Sequence, residues 1–237
     1  MKVLGVIGGL GPMATAYFLE LLTGMTNVAS DQEHIPVIVN SIPQTPDRTA
    51  FILDHKEKSP LKNMVEAGTK LKQVGAEYIA IPCVTAHYFY HELEEQIGLP
   101  IISLLEKVAE QFENNGIEKV GLLATTGTIA SRIVQNALQN KGIQTVLPDS
   151  GQQAIVMKII YEQIKAGKPV EIEKFMEVED KLKEKGAQKL LLGCTELSLL
   201  KRDFQLRDEN VDILEILAAA AIEYSGLQVK QYHRLTI

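Results

Sequence analysis

The sequence is poor in the features that a membrane, a nucleic acid or an oxidising compartment would demand. Its longest uninterrupted apolar stretch, Ile216 to Ile222, falls far short of the roughly 20 residues that cross a bilayer, so no membrane partner is expected. The apolar run after Lys2 is broken by Gly8, Gly9 and Gly11 and has no small-residue cleavage site, so no signal peptide is expected and the cytoplasm is the expected location. Basic charge is scarce: 24 Lys and Arg stand against 30 Asp and Glu, and no basic run gathers the cations, which argues against nucleic acid. There are only two cysteines, Cys83 and Cys194, expected as free thiols rather than a bridge. No Cys-x-x-Cys occurs, and His87 and His91 lie one turn apart without a third ligand; no metal is expected, and the two are read as a cap and a surface residue.

What is present is an ordinary globular composition, 46% hydrophobic and 23% charged over 237 residues, enough for two small domains that each bury a core. The stretch Ala80-Ile81-Pro82-Cys83-Val84-Thr85-Ala86-His87 sets a thiol where an apolar run stops and helix-starting residues begin. Leu190-Leu191-Leu192-Gly193-Cys194-Thr195-Glu196 echoes it, and Gly75-Ala76 and Gly186-Ala187 each begin eight residues before their cysteine. A second echo pairs Gly5 with Gly121 and Gly11 with Gly127 at an offset of 116, against 111 for the cysteines. Two elements repeated at similar offsets point to an internal duplication.

Strand and helix signals alternate along the chain. Lys2 to Ile7 reads as a strand, Gly8-Gly9-Leu10-Gly11-Pro12 as a turn and Ala14 to Val28 as a helix; the glycine spacing is not the G-x-G-x-x-G dinucleotide fingerprint. Pro36 to Ser41 is a second strand, Pro43 to Thr49 a loop, Leu61 to Val74 a helix and Tyr78 to Pro82 a strand, followed by a helix through Leu93. Ile101 to Ser103 reads as a strand and Leu104 to Asn114 as a helix. The second half adds a strand from Lys119, helices at Ala130 to Asn140, Gln152 to Ala166 and Ile172 to Lys185, a strand near Thr145 to Leu147, and a buried apolar helix from Asp212 to Tyr224. The pattern predicts an α/β protein of two pseudo-symmetric doubly wound domains with parallel sheets, residues 1–98 with 212–237 and residues 99–211. Ligands of such sheets bind beyond the carboxyl ends of the strands, where both cysteines and both glycine turns fall, so the site is expected in the cleft between the domains.

A thiolate is a strong base and nucleophile once its pKa drops, and two opposed thiols can exchange a proton across one carbon. Amides near Gly9 and from Thr125 to Thr128, with hydroxyls of Thr85, Thr125, Thr128 and Thr195, suit carboxylates. A helix N-cap is the plain alternative for a threonine such as Thr128, and complementing a helix dipole is the plain alternative for Lys165.

Five motifs in order, Gly8-Gly9-Leu10-Gly11-Pro12, Pro43-Gln44-Thr45-Pro46-Asp47-Arg48-Thr49, Pro82-Cys83-Val84-Thr85-Ala86-His87, Ala124-Thr125-Thr126-Gly127-Thr128 and Gly193-Cys194-Thr195-Glu196, resemble the cofactor-independent aspartate/glutamate racemase family. The resemblance implies a dimer of such two-domain chains that racemises acidic amino acids without pyridoxal phosphate, with Cys83 and Cys194 as the paired acid/base groups. It further implies that Arg48 and Lys165 engage substrate carboxylates and that Asp47 and Glu196 assist the thiols or the substrate ammonium. Gly9, Val84, Thr85, Thr125, Gly127, Thr128 and Thr195 complete the expected substrate contacts. The family usually has Asn where Val84 stands; valine offers shape but no hydrogen bond, which bears on which amino acid fits. The same fold is used by hydantoin racemase, maleate isomerase and arylmalonate decarboxylase, and a non-catalytic amino-acid sensor is the alternative outside enzymes.

Overall fold

The structure, a computed structural model, describes residues 1–204 and 206–232. The chain begins with β1 (Leu4–Gly8), α1 (Pro12–Met25), β2 (Val37–Ser41), α2 (Arg48–Leu53), α3 (Leu61–Gln73), β3 (Tyr78–Ala80), α4 (Tyr90–Ile97) and α5 (Leu104–Asn114). It continues with β4 (Lys119–Leu123), α6 (Thr126–Ser131), α7 (Ile133–Gln139), β5 (Gln144–Val146), α8 (Ser150–Lys158), α9 (Ile172–Glu184), β6 (Lys189–Leu192), α10 (Thr195–Asp203), β7 (Asn210–Asp212) and α11 (Ile213–Tyr224). Two compact units result: Met1–Asp47 with Lys58–Leu104 and the residues from Leu214, and Arg48–Glu57 with Leu105–Ile213. Arg48–Glu57, which falls inside the first expected span, packs with the second unit because α2 lies against α6.

The first unit holds the sheet β2-β1-β3 and the second the sheet β5-β4-β6-β7, all parallel. The central strands are apolar without alternation and buried along their length, as helices on both faces require: β1 is buried at every residue and β4 at every residue after Lys119. The duplication is preserved to the residue. Gly5 lies opposite Ile79, and Gly121 opposite Leu190, so the offsets of 116 and 111 recur as strand register. Both glycines are needed for the same reason. A Cβ on Gly5 would fall 2.8 Å from Ile79 and 3.3 Å from Leu71; one on Gly121 would fall 2.6 Å from Leu190 and 3.2 Å from Leu182. Each unit thus presses its covering helix, α3 or α9, onto the middle of its central strand at equivalent points.

Several elements differ from the sequence-based expectation. The strand expected at Ile101 to Ser103 is a single bridge, Ile79 to Ile101, whereas the equivalent edge of the second unit is the full strand β7, too short to show any periodicity of its own. The helix expected through Leu93 begins as a 3₁₀ turn, Val84–Phe89, before α4. The helix expected at Ala130 to Asn140 is two, broken at Arg132, which takes the left-handed conformation at φ 58°. The helix expected at Gln152 to Ala166 is α8 followed by a π-helical turn, Ile159–Ile164. The proline-flanked loop expected to run through Thr49 ends two residues early, at Asp47, because Arg48 opens α2. α11 is buried as its composition requires, with Leu214, Leu217, Ala218, Ala221 and Ile222 sealed from solvent and the Tyr78 hydroxyl donating to the Ala221 carbonyl at 3.0 Å.

Candidate active site

In the first unit the expected site residues fall at the carboxyl ends of the adjacent strands β1 and β3. The chain leaves β1 through Gly9 at φ 84°, where a Cβ would sit 2.5 Å from the Ile42 nitrogen, so only glycine fits. The Gly9 N–H, foreseen as an open anion donor, donates instead to Thr15 Oγ1 at 2.9 Å, and that hydroxyl donates on to the Gly11 carbonyl. Pro12 opens α1 as expected of the first helical position. Beyond β3, Cys83 is extended, its N–H donates to the Ile81 carbonyl at 2.7 Å, and its own carbonyl accepts from Ala86 at 3.2 Å. Cys83, Val84 and Thr85 are all buried.

His87 is neither the expected cap nor a metal ligand. It is buried, with Nε2 at 3.3 Å from the Ile81 carbonyl, the group that also receives the Cys83 amide. Burial drives its pKa down to about 4, only partly opposed by that carbonyl. It is therefore neutral and donates through Nε2, tying the 3₁₀ turn to the strand end beside Cys83. His91 is exposed, as expected.

The second unit gathers more of the expected residues. β4 and β6 are neighbours, so Thr125 and Cys194 leave the carboxyl ends of adjacent strands, where the Gly193 N–H donates to the Leu123 carbonyl at 2.8 Å. Thr125 caps α6 by accepting from the Thr128 N–H at 3.2 Å, so the N-cap is Thr125 and not Thr128. Thr128 is itself sealed, and its hydroxyl lies 3.1 Å from that of Thr125. Thr49 donates to the Thr125 hydroxyl at 3.1 Å, completing a buried chain of three hydroxyls. Gly127 allows this docking, since a Cβ there would fall 2.8 Å from the Thr49 Cα. Two separate sequence motifs, the one ending Asp47-Arg48-Thr49 and the one from Ala124 to Thr128, thereby become one structure. It holds Arg48 buried at the start of α2, with Asp47 half-buried before it.

Cys194 precedes α10, and Thr195 and Glu196 fill the first turn of that helix; all three are buried. The Cys194 thiol donates to Glu196 Oε2 at 2.9 Å. Burial and the Glu196 carboxylate push its pKa well above the ordinary thiol range, while the Lys165 ammonium pulls the other way. Cys194 thus rests as a thiol. The other Glu196 oxygen, Oε1, is buried without a hydrogen-bond donor, its cationic neighbour being Lys165 at 3.9 Å. A buried carboxylate oxygen without a donor is costly, which marks this as a position built for a cationic or N–H group.

Behind the helix, Ser198 Oγ donates to Asp212 Oδ1 at 2.5 Å, bracing α10 against the end of β7; both residues are buried. Thr15, Thr49, Ser198 and Asp212 carried no signal in the sequence beyond being small or acidic residues near a motif. Their roles depend on which strands become neighbours. Among the described residues no group of three His, Cys, Asp or Glu side chains is placed to hold a metal, and no helix is long and apolar enough to cross a membrane.

The arrangement has clear relatives. Residues 7–222 match the family model described as Asp/Glu/Hydantoin racemase. A broad specificity amino-acid racemase, RacX, of Bacillus subtilis is 27% identical over 157 residues, 65% of this chain and 67% of that one. Among solved structures, the aspartate racemase of Picrophilus torridus superposes with a TM-score of 0.80 at 29% identity, covering 97% of this chain and 96% of that one. An aspartate racemase homologue of Pyrococcus horikoshii gives 0.77 at 26% identity, covering 95% and 100%. With a family match that spans both parallel sheets and takes in both cysteines, the chain belongs to the Asp/Glu/Hydantoin racemase family of isomerases.

Proposed function

We propose that this protein is a pyridoxal-phosphate-independent amino-acid racemase that acts on aspartate, glutamate or both, with Cys83 and Cys194 as its two acid/base groups. The observation that carries the proposal is the Cys194 and Glu196 pair. A buried thiol whose proton is held by a carboxylate is a proton donor in waiting, and the remaining carboxylate oxygen suits a substrate ammonium. In one direction the Cys83 thiolate takes the α-proton from one face of the substrate. The electron pair left on carbon delocalises into the α-carboxylate, and Cys194 delivers its S–H proton to the opposite face. The product leaves Cys83 as thiol and Cys194 as thiolate, and the reverse direction restores them. No net oxidation occurs and no other reactant is consumed.

Arg48 is assigned to the side-chain carboxylate, because a guanidinium grips a carboxylate with two parallel hydrogen bonds that lysine cannot reproduce. Lys165 is assigned to the other carboxylate. Thr85, Thr195 and the backbone at Gly127 are assigned to orienting the substrate; Gly9, whose N–H is taken by Thr15, and Thr125 and Thr128, which bond each other, are assigned to shaping the site, and Asp47 to assisting the thiol or the ammonium. Val84 sits directly after Cys83 and presents only an apolar surface, so it is assigned to specificity. The name of the Bacillus subtilis relative supports testing a range of amino acids. The working form is proposed to be a homodimer in the cytoplasm, acting with neither metal nor cofactor.

The test is solvent deuterium uptake at the α-carbon of single-enantiomer amino acids, followed by chiral chromatography, on protein dialysed against EDTA and free of pyridoxal phosphate. Racemisation with α-exchange is expected for an acidic amino acid. Cys83→Ala and Cys194→Ala should each abolish racemisation, one-sided exchange surviving at most. Full activity in either variant rules out the two-thiol mechanism; binding without exchange makes the chain a sensor; activity that is lost on dialysis and restored by a metal contradicts the cofactor-free reading.

A further inference from the structure

Lys165 ends the π-helical turn Ile159–Ile164, where its N–H donates to the Ile160 carbonyl, five residues back, at 3.0 Å. A π turn takes an extra residue per hydrogen-bonded ring, so it rotates everything after it relative to an unbroken α-helix, and such turns collect at functional sites. This one packs against α10, the helix that follows Cys194. Here the rotation has two consequences. It brings the Lys165 ammonium to 3.9 Å from Glu196 Oε1, and it sets the same ammonium 4.1 Å from the centroid of the Tyr161 ring, with about a quarter of the lysine side chain exposed.

We infer that Tyr161 is a positioning residue for this site: its ring face holds the Lys165 ammonium beside Glu196, so that the cation meets the substrate already aimed. A lysine side chain has four rotatable carbons and loses considerable rotamer freedom when fixed. An aromatic face attracts the cation electrostatically and orients the ammonium without itself accepting a hydrogen bond in the manner of a carboxylate. The inference rests on the racemase reading for its kinetic consequence and on the geometry alone for its spectroscopic one.

The experiment compares wild type, Tyr161→Phe and Tyr161→Leu. The lysines are labelled by reductive ¹³C-methylation, which keeps their charge, and the Lys165 signal is assigned with Lys165→Arg. A group above an aromatic face is shielded, so the wild-type Lys165 methyl signal should lie upfield of the other lysines, stay there in Tyr161→Phe and move to the common position in Tyr161→Leu. On an acidic amino acid, kcat/KM should fall between about twofold and about thirtyfold in Tyr161→Leu, the span of a cation–π contact from exposed to desolvated, and be largely restored in Tyr161→Phe. The loss should appear mainly in KM, because the ammonium is being aimed and not the reacting carbon. An unshifted Lys165 signal in wild type, a Tyr161→Leu enzyme as good as wild type, or a Tyr161→Phe enzyme as poor as Tyr161→Leu each overturns the inference. A wild-type protein with no racemase activity but a shielded Lys165 signal would overturn the functional proposal and leave the positioning contact standing.

Discussion

Acidification should loosen the Cys83 turn through a single imidazole. His87 is buried in the folded chain with its pKa lowered to about 4, against an ordinary value of 6.5. Between those two values the unfolded chain holds a proton that the folded chain refuses, so the stabilising contribution is complete above about pH 6.5 and is lost as pH falls through the window towards 4. A difference of two to three pKa units corresponds to about 3 kcal/mol, a large share of a marginal folding free energy. Urea unfolding of wild type and His87→Phe at closely spaced pH values isolates the effect, since every other titrating group is common to both. Phenylalanine keeps the ring and removes the titration. It also removes the Nε2–H bond to the Ile81 carbonyl, which keeps the Cys83 amide, at a cost of about 0.5–1.5 kcal/mol. His87→Phe should therefore be the less stable protein at pH 7.5 and lose its disadvantage by pH 4, the two curves converging or crossing between. Curves that run parallel from pH 7.5 to 4 would refute the reasoning, and with it the neutral, buried assignment of His87.

Other consequences are as specific. Glu196→Gln removes a charge that raises the Cys194 pKa, so in a Cys83→Ser background the pH midpoint of Cys194 alkylation should move down; an unmoved midpoint would contradict the thiol–carboxylate contact. Glu179 is fully buried on α9 with both carboxylate oxygens lacking a hydrogen-bond donor in good geometry, and burial raises its pKa. Stability should consequently decline as pH rises above 4.5, and Glu179→Gln should raise the melting temperature at pH 7 while leaving it nearly unchanged at pH 4; equal shifts at both would refute this. Gly127→Ala drives a Cβ into Thr49 and should cost about 1–3 kcal/mol in urea unfolding, with a fall in kcat/KM for acidic substrates through displacement of Arg48. Arg48→Lys should lower kcat/KM for acidic amino acids roughly thirtyfold or more with little change in kcat/KM for a neutral one; equal losses on both would detach Arg48 from the side-chain carboxylate.

The duplication was legible in the sequence because register is a matter of spacing. Gly5 and Gly121 are required by the same close helix approach, and the residues they face, Ile79 and Leu190, lie in runs that lead to the two cysteines. The helix at Leu104–Asn114 was legible to its ends because its apolar residues keep the helical period from Leu104 through Val108 and Phe112. What was illegible depended on partners distant in sequence. Thr49 reads as the end of a proline-flanked loop until α2 and α6 come together, and the Gly9 amide reads as an open donor until the Thr15 hydroxyl turns back to meet it. The π turn has no signal in apolar periodicity, since Ile159, Ile160 and Ile164 suit either helix type.

The duplicated scaffold carries chemistry that is not duplicated, and the difference lies beside each cysteine. Both thiols are buried after the strand that pairs with the centre of their sheet, in extended backbone opening a helical turn. Cys194 is followed two residues later by a carboxylate that takes its S–H bond. At the corresponding place Cys83 is followed by Thr85, which carries no charge, and the turn is held by a histidine that burial keeps neutral. The residue two after Cys83 thus offers its thiol no carboxylate, whereas the Glu196 carboxylate holds the proton on Cys194. A two-thiol exchange requires one thiol and one thiolate at the start of each turnover, and two identical halves would leave that choice open. Replacing the neutral residue by a carboxylate, Thr85→Glu, should therefore give both thiols a carboxylate neighbour and slow a turnover that needs one of them as thiolate. Its racemisation rate should fall far more at pH 7 than at pH 9.5, where thiolate can still form; a loss of equal size at both pH values would show that the asymmetry of the two halves has no part in setting the protonation state.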